Sequence, residues 1–294
     1  MAYKRTNKNF IFSFSNYFLI LLFCCVTLLP FVLMLIISIT DESSIVRNGY
    51  SFLPEKLSLQ AYEIILGKGS SVLHAYLITI FVTSVGTLLS VTVTSMLAYA
   101  LHGNNIKYKT QITMFVFLTM LFNGGMVPWY ILCTRYLHLN DNILGLIIPM
   151  MVNPWNMFLL RNYFNGIPDS LSESAKMDGA RAFEILFKII IPISAPGLAT
   201  ITLFYALAYW NDWWHALMLM SKKNLLPLQY LLYKIQSDVV FAASEGSRYA
   251  SQVTMPKESI KMATVAVTIG PIIFLYPFIQ RYFVKGLVVG AVKA

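Results

Sequence analysis

Six stretches of this chain contain no Asp, Glu, Lys or Arg: 9–40, 69–106, 110–134, 142–160, 189–211 and 262–280, the shortest of them nineteen residues long. Charged residues make up only 12% of the sequence and hydrophobic ones 57%, and the few charges fall between the runs. A helix needs about 20 apolar residues to cross the hydrocarbon core of a bilayer, so each run can hold one span. In lipid every backbone N–H and C=O must be satisfied internally, which leaves helices or a closed barrel. The runs lack the polar/apolar alternation of barrel strands. The predicted fold is an all-α membrane protein of six transmembrane helices.

The basic residues Lys4, Arg5 and Lys8 precede the first run, as in a secretory signal. The apolar stretch is too long for one, and no small-x-small cleavage site follows at Thr40–Ser43. It is expected to be a retained span over roughly 17–39. Six spans put both termini on one side. Basic residues gather at the N-terminus, at the tail (Arg281, Lys285, Lys293), at Lys107 and Lys109, and at Arg161, Lys176, Arg181 and Lys188. The positive-inside rule makes all four regions cytoplasmic. The segment 219–261 also carries six Lys or Arg and would lie outside, but long loops count less in that rule. The expected organisation is a cytoplasmic segment 1–16, a six-helix membrane domain 17–283 with outer loops 40–72 and 219–257, and a cytoplasmic tail 284–294.

The net charge of +9 follows from this topology; no clustered basic face points to nucleic acid. Cys24, Cys25 and Cys133 lie in or beside apolar runs, without metal spacing or a disulfide framework. His74, His102, His138 and His215 fall at run ends, widely spaced, and read as interfacial or core residues. Prolines 30, 149, 154, 196, 271 and 277 lie within runs, where they kink helices or mark a path that moves.

Between the fourth and fifth runs lies a cytoplasmic segment, 165–192, unusually rich in charge. Ile167-Pro168-Asp169 ends one helix, and Asp169 or Ser170 caps the next. That helix runs to Gly179, with Ala175 and Gly179 four apart on one face. Beyond Gly179, Phe183, Leu186, Phe187 and Ile190 form an apolar stripe, Glu184 and Lys188 are placed to pair, and Pro192 turns into the fifth span. Spacing alone leaves two readings open, a structured joining loop or a docking surface for another protein.

Glu173-Ser174-Ala175-Lys176-Met177-Asp178-Gly179-Ala180, followed by Phe187, Ile189, Ile191 and Pro192, resembles the EAA motif of permease subunits in ATP-binding-cassette importers, with Ser174 where the motif usually has alanine. Asn123 to Tyr130, Tyr209 to Trp213, Tyr276 to Gly286 and Gly290 to Lys293 extend the resemblance over essentially the whole chain. They are closest to carbohydrate-uptake permeases that handle oligosaccharides from polysaccharides, similar to lipoprotein-associated sugar permeases of Gram-positive bacteria. The resemblance implies the type I importer permease fold in a bacterial cytoplasmic membrane. It also implies that Glu173, Ser174, Ala175, Asp178, Gly179, Ala180, Phe187, Ile189 and Pro192 dock on an ATPase, with Lys285, Gly286 and Lys293 as tail contacts. The implied partners are a second permease in a heterodimer, two ATPase subunits that carry ATP and Mg, an extracellular sugar-binding protein, and membrane lipids. No cofactor or metal is implied on this chain.

At the outer ends of the third and fifth runs, Asn123, Trp129, Tyr209, Trp210, Asn211, Asp212 and Trp213 are expected near the pathway or its gate, with Tyr205 and Trp214 in the same aromatic cluster. Trp and Tyr also gather at bilayer interfaces, and Asp212 could equally cap a helix or meet the partner permease. No Gly-x4-Gly-Lys-Ser/Thr phosphate loop, nucleophile–base pair or intramembrane catalytic cluster is present, so the chain is not expected to be an enzyme. A self-sufficient secondary transporter or channel is the competing class; it calls for ion-coupling carboxylates or an inverted repeat at the midplane, and neither is seen.

Overall fold

The computed structural model describes residues 7–67, 71–103, 106–245 and 258–270. The helices are α1 (Asn7–Ser38), α2 (Glu42–Asn48), α3 (Gln60–Leu66), α4 (Ser71–His102), α5 (Lys109–Leu121), α6 (Met126–Ile131), α7 (Pro154–Asn165), α8 (Asp169–Met177), α9 (Ala182–Ile185), α10 (Ile191–Ile193), α11 (Ala195–Trp210), α12 (Trp214–Leu219) and α13 (Leu228–Glu245). A further helical segment covers 258–270. Among the described residues there is no strand, only an isolated bridge between Thr40 and Leu57.

The chain divides into two compact units, Met1–Ser70 with Ile235–Gly270, and Ser71–Lys234 with Pro271–Ala294. In the first, α1 exposes Phe18, Leu19, Ile20, Leu21, Leu22 and Phe23, consecutive positions that run around the whole helix. A helix apolar on every side belongs in lipid or against another membrane helix. Its far end is tied down, because the Ser38 hydroxyl meets Tyr62 Oη at 2.8 Å. The α2 start is capped by Asp41, which accepts from Ser43 N at 3.1 Å. Glu42 does the same for the helical segment at 258, its carboxylate accepting from Glu258 N at 2.9 Å and Ser259 N at 3.0 Å. Tyr50 donates to Glu258 at 2.7 Å, and this bond is the main reason its phenol is pushed up to about 12.

In the second unit α4 is the central helix, packed against α7 and α11. Among the described residues two helical stretches, Phe12–Ser38 and Val72–His102, are long and apolar enough to cross a membrane alone. Three more candidate spans are bent pairs: Lys109–Leu121 with Met126–Tyr136 at 114°, Ile143–Met150 with Pro154–Asn165 at 51°, and Ala182–Ile193 with Ala195–Trp210 at 90°. The prolines explain two of the bends. Pro154 and Pro196 do not sit mid-helix, as kinking residues would; each stands in the first turn of a new helix, where a missing N–H costs nothing. Pro149 lies in a short 3-10 turn just before the break. The sixth predicted span is described only as far as residue 270; Pro271, Pro277, the tail and the calls at Lys285, Gly286 and Lys293 lie outside the described residues.

Two separate cores result. One gathers Cys133, Leu146, Ile147, Tyr205, Tyr209 and Leu219. The other gathers Leu101, Met157, Phe164, Ala175, Ile185, Leu186 and Ile201 under the charged segment. Helix α11 contributes to both.

Candidate functional site

The charged segment is two short helices joined at a left-handed corner. Helix α8 starts after Pro168 with no side-chain cap, so neither Asp169 nor Ser170 plays the predicted capping role. Proline fixes the entry angle, and Asp169 stands at the first helical position, where its charge suits the helix dipole. Its carboxylate lies 3.8 Å from His102 Nε2 at the end of α4. The other ring nitrogen of His102 lies 2.8 Å from Asn165 Oδ1.

Helix α8 ends at Met177, two residues short of the expected glycine. Gly179 has φ +83° and donates to Lys176 O at 3.0 Å, while Ala180 N donates to Ala175 O at 2.9 Å. These two bonds are the Schellman ending of a helix, in which the residue past the cap takes a left-handed conformation natural only to glycine. The predicted small face of Ala175 and Gly179 therefore does not form. Ala175 turns into the core beneath, at 9% exposure, and Gly179 sits beyond the helix at the open corner.

After the corner, Glu184 accepts from Arg181 N at 3.0 Å and from Lys188 Nζ at 3.1 Å, so the predicted pair forms. Both bonds, the backbone one first, hold the Glu184 carboxyl below its usual range. The apolar stripe is split, however. Residues Leu186–Ile190 wind as a π-turn, whose wider pitch changes which residues face inward. Ile185, Leu186 and Ile190 are buried, whereas Phe183 and Phe187 are exposed at 62% and 45%. Met177, 89% exposed at the α8 end, joins them. That methionine lies within the EAA-like motif but was not among the expected docking residues; its signal was a large apolar residue beside the Asp178-Gly179 turn. Glu173, Ser174, Asp178 and Pro192 are exposed, and Ile189 is half-buried. Between this segment and the end of α4 runs an open groove of about 690 Å³, lined by Tyr99, His102, Asp169, Glu173 and Lys176 among others.

The second site is built at the opposite core. Residues 122–125 leave the helix between α5 and α6, the Asn123 side chain accepting from Gly125 N at 2.9 Å. The chain folds back by 114°, which brings Trp129 onto Trp214, ring centroids 4.6 Å apart, and onto His215 at 5.4 Å. Asp212 Oδ1 accepts from His215 Nδ1 at 2.9 Å, with both side chains mostly buried. The acid thus fixes the imidazole on which Trp129 rests.

Helix α11 stops at Trp210, so Tyr209 and Trp213, four apart in sequence, do not share a helical face. Trp213 leaves the helix and stacks on Tyr233, centroids 4.7 Å apart. Asn211 caps downward, donating to Leu207 O at 2.9 Å and accepting from Gln229 at 3.2 Å. Tyr209 and Trp210 are buried at 2% and 6% and present no open ring for stacking. Trp129, Asp212, Trp214 and His215 come together; Tyr209 and Trp210 belong to the packing behind them.

The chain matches, over residues 2–289, the family described as binding-protein-dependent transport system inner membrane component. It is 36% identical over 288 residues to the polygalacturonan/rhamnogalacturonan transport system permease protein YtcP of Bacillus subtilis, covering 97% of this chain and 99% of that protein. It is 28% identical to the arabinooligosaccharides transport system permease protein AraQ of the same organism, covering 96% and 97%. Among solved structures, a bacterial ABC transporter involved in the import of the acidic polysaccharide alginate superimposes with a TM-score of 0.81 at 33% identity, covering 96% of this chain and 99% of the other. Helices bent at prolines, a charged segment closed by a Schellman turn, and matches that run nearly end to end lead to one conclusion: this chain belongs to the binding-protein-dependent transport system inner membrane component family, the permease subunits of ATP-binding-cassette transporters.

Proposed function

We propose that this chain is one permease of an ATP-driven importer of oligosaccharides released from polysaccharides, forming half of the translocation pathway in a bacterial cell membrane. The chain is non-catalytic; ATP, with Mg, is bound and hydrolysed on two separate ATPase subunits. A second, different permease and an extracellular sugar-binding protein complete the assembly. The chain crosses the membrane six times with both termini inside, and the segment 165–192 docks on the ATPase. Relatives named for polygalacturonan, rhamnogalacturonan and arabinooligosaccharides, and the alginate importer, support a polymer fragment as cargo, acidic sugars foremost.

The observation that carries the coupling role is the surface of that segment. Met177, Phe183 and Phe187 are exposed around a corner that its own hydrogen bonds hold rigid. Large apolar side chains on a charged, cytoplasmic loop are out of place in water and suit a groove on a partner. Their cluster sits on the core that contains the lower half of α11, so a push on the corner reaches a candidate span directly. The test is to purify the chain from membranes with its complex and to measure ATP hydrolysis against the binding protein loaded with galacturonan, arabinan or alginate oligomers. A co-purifying ATPase stimulated by one of these sugars is expected. A chain that transports alone, with no ATPase attached, would overturn the proposal.

A further inference from the structure

The break in the fourth candidate span leaves backbone groups that lipid cannot satisfy. Met151 N bonds back to Ile148 O in a tight turn, so the Ile147 carbonyl drops out of the helical ladder. Asn153 is extended, at φ −109° and ψ 116°, and its N–H likewise points away from the helix. Both groups are taken up by tyrosines of α11. Tyr209 Oη donates to Ile147 O at 2.9 Å, and Asn153 N donates to Tyr205 Oη at 2.9 Å.

Each of these hydroxyls also holds α4. Tyr209 Oη lies 2.9 Å from Ser90 Oγ, and Tyr205 Oη lies 2.7 Å from Thr94 Oγ1. A phenol has one proton to give. Tyr209 gives its proton to the carbonyl and so accepts from Ser90; Tyr205 accepts from the amide, which leaves its own proton available to Thr94. The two tyrosines therefore have complementary roles on the two sides of one break. All four side chains are buried, between 0% and 2% exposed. The ring of Tyr209 fits because residue 86 is glycine, where a Cβ would stand 2.7 Å from the ring.

We propose that Tyr205 and Tyr209 are positioning residues of transport: their hydroxyls clamp the broken fourth candidate span to α4, so that α11 carries both when the charged segment is displaced. The clamp rests on the importer reading above. Helix α11 follows that segment through a 90° bend at 193–195, and its lower half sits in the same core as Ala175 and Ile185. Packing alone would let three apolar helices slide, since lipid is as apolar as they are; directional bonds between helices fix their register. A break clamped on both sides moves as a unit with its neighbours, which a bare kink does not.

The test uses the whole complex with its ATPase subunits, carrying Tyr205→Phe, Tyr209→Phe, both together, or Ser90→Ala with Thr94→Ala. ATP hydrolysis is measured with and without the binding protein loaded with galacturonan oligomers, and sugar taken up per ATP is measured in proteoliposomes. Basal hydrolysis is expected to persist while its stimulation falls about ten-fold in the double tyrosine variant, the scale of a lost buried hydrogen bond, and sugar per ATP falls with it. Loss of both rates in proportion, with the stimulation ratio intact, means a merely structural role and overturns the clamp. An unchanged ratio and full uptake overturn it too. If the phenylalanine variants do not assemble, the Ser90/Thr94 variant decides by the same ratio, because it leaves the tyrosines on the backbone groups and removes only the α4 side. A wild-type complex that no sugar stimulates would instead count against the importer proposal.

Discussion

Gly179 separates the two things a corner residue can do, hold a backbone turn and leave room for a partner. Its φ of +83° is a conformation that costs a residue with a Cβ about 1–2 kcal/mol. A Cβ built there meets no heavy atom of the chain within 4 Å. Within the chain, Gly179→Ala and Gly179→Leu are expected to cost nearly the same, since Gly179 is exposed and the first side-chain atom meets open space. A loss of that size is small beside the 5–15 kcal/mol of an ordinary folded protein, by order of magnitude. Both variants should reach the membrane in normal amount. Gly179→Asn should do better than either, because asparagine tolerates the left-handed region.

Any difference between Ala and Leu must therefore come from something outside the chain that approaches the corner. Gly179→Ala is expected to retain ATPase subunits and most uptake; Gly179→Leu is expected to lose both at unchanged membrane level. The assay pairs quantitative recovery of ATPase with the tagged permease and uptake of galacturonan oligomers. Equal uptake in the Ala and Leu variants would refute contact at this corner. Equal loss in both would place the whole effect in backbone strain and refute it as well.

Three further outcomes follow, the first from the proposed topology and the other two from the geometry. A cysteine at Ser244 should react with an impermeant reagent in intact cells and one at Lys107 only after lysis; labelling of Lys107→Cys from outside would reverse the topology. Asp212→Ala should impair uptake more than Asn211→Ala, because Asp212 fixes the imidazole beneath Trp129 whereas Asn211 mainly bonds to Leu207 and Gln229; quenching of tryptophan fluorescence should shift only in the first, and two wild-type variants would make the cluster a bilayer anchor. Asp141, between the third and fourth candidate spans, accepts from Ser221 N at 2.6 Å and Lys222 N at 2.9 Å, and these amides hold its carboxyl below the usual range. Its contribution is present above the ordinary Asp value of about 4 and is lost as pH falls through the lowered one, so Asp141→Asn should unfold earlier than wild type at pH 7 and converge with it in stronger acid; a gap that persists or widens there would contradict this account.

The positions of the candidate spans were legible because lipid admits few alternatives: a long run without charge has to be a helix, and the five candidate spans among the described residues overlap the first five runs. Their bends were less legible. Prolines 149, 154 and 196 were visible, yet sequence spacing does not distinguish a kink within one helix from the first turn of another. The same limit explains Tyr209 and Trp213. Their separation by four predicts a shared face only while the helix continues, and it stops at Trp210. The EAA segment was legible by resemblance, and its glycine corner by the change of pattern at Gly179, whereas its faces were misassigned: Ala175 turns into the core, and the π-turn at Leu186–Ile190 exposes Phe187 where a regular stripe would bury it. Periodicity presumes regular winding, and it fails where the backbone departs from it.

The hydroxyls on α4 show a different limit. Thr79, Thr83, Thr87, Ser90 and Thr94 follow one another at helical spacing, so a polar stripe could have been read from the sequence. What it meets could not. Thr79 accepts from Leu228 N at 2.8 Å, Ser90 and Thr94 meet tyrosines of α11, and those tyrosines reach the broken fourth candidate span. Each partner is remote in sequence, and each is needed because a backbone group has been released from a helix in a medium without water. Bends and buried hydroxyls are thus two sides of one requirement. A candidate span can break only where a neighbour supplies the missing bond, and the neighbour that supplies it is then bound to move with the break. Helix α11 does this for the fourth candidate span at one end and rests on the charged segment's core at the other. It is the element through which a displacement at Gly179 can reach Trp129, and replacing its two buried phenols by phenylalanine is the smallest change that would interrupt that route while leaving both ends intact.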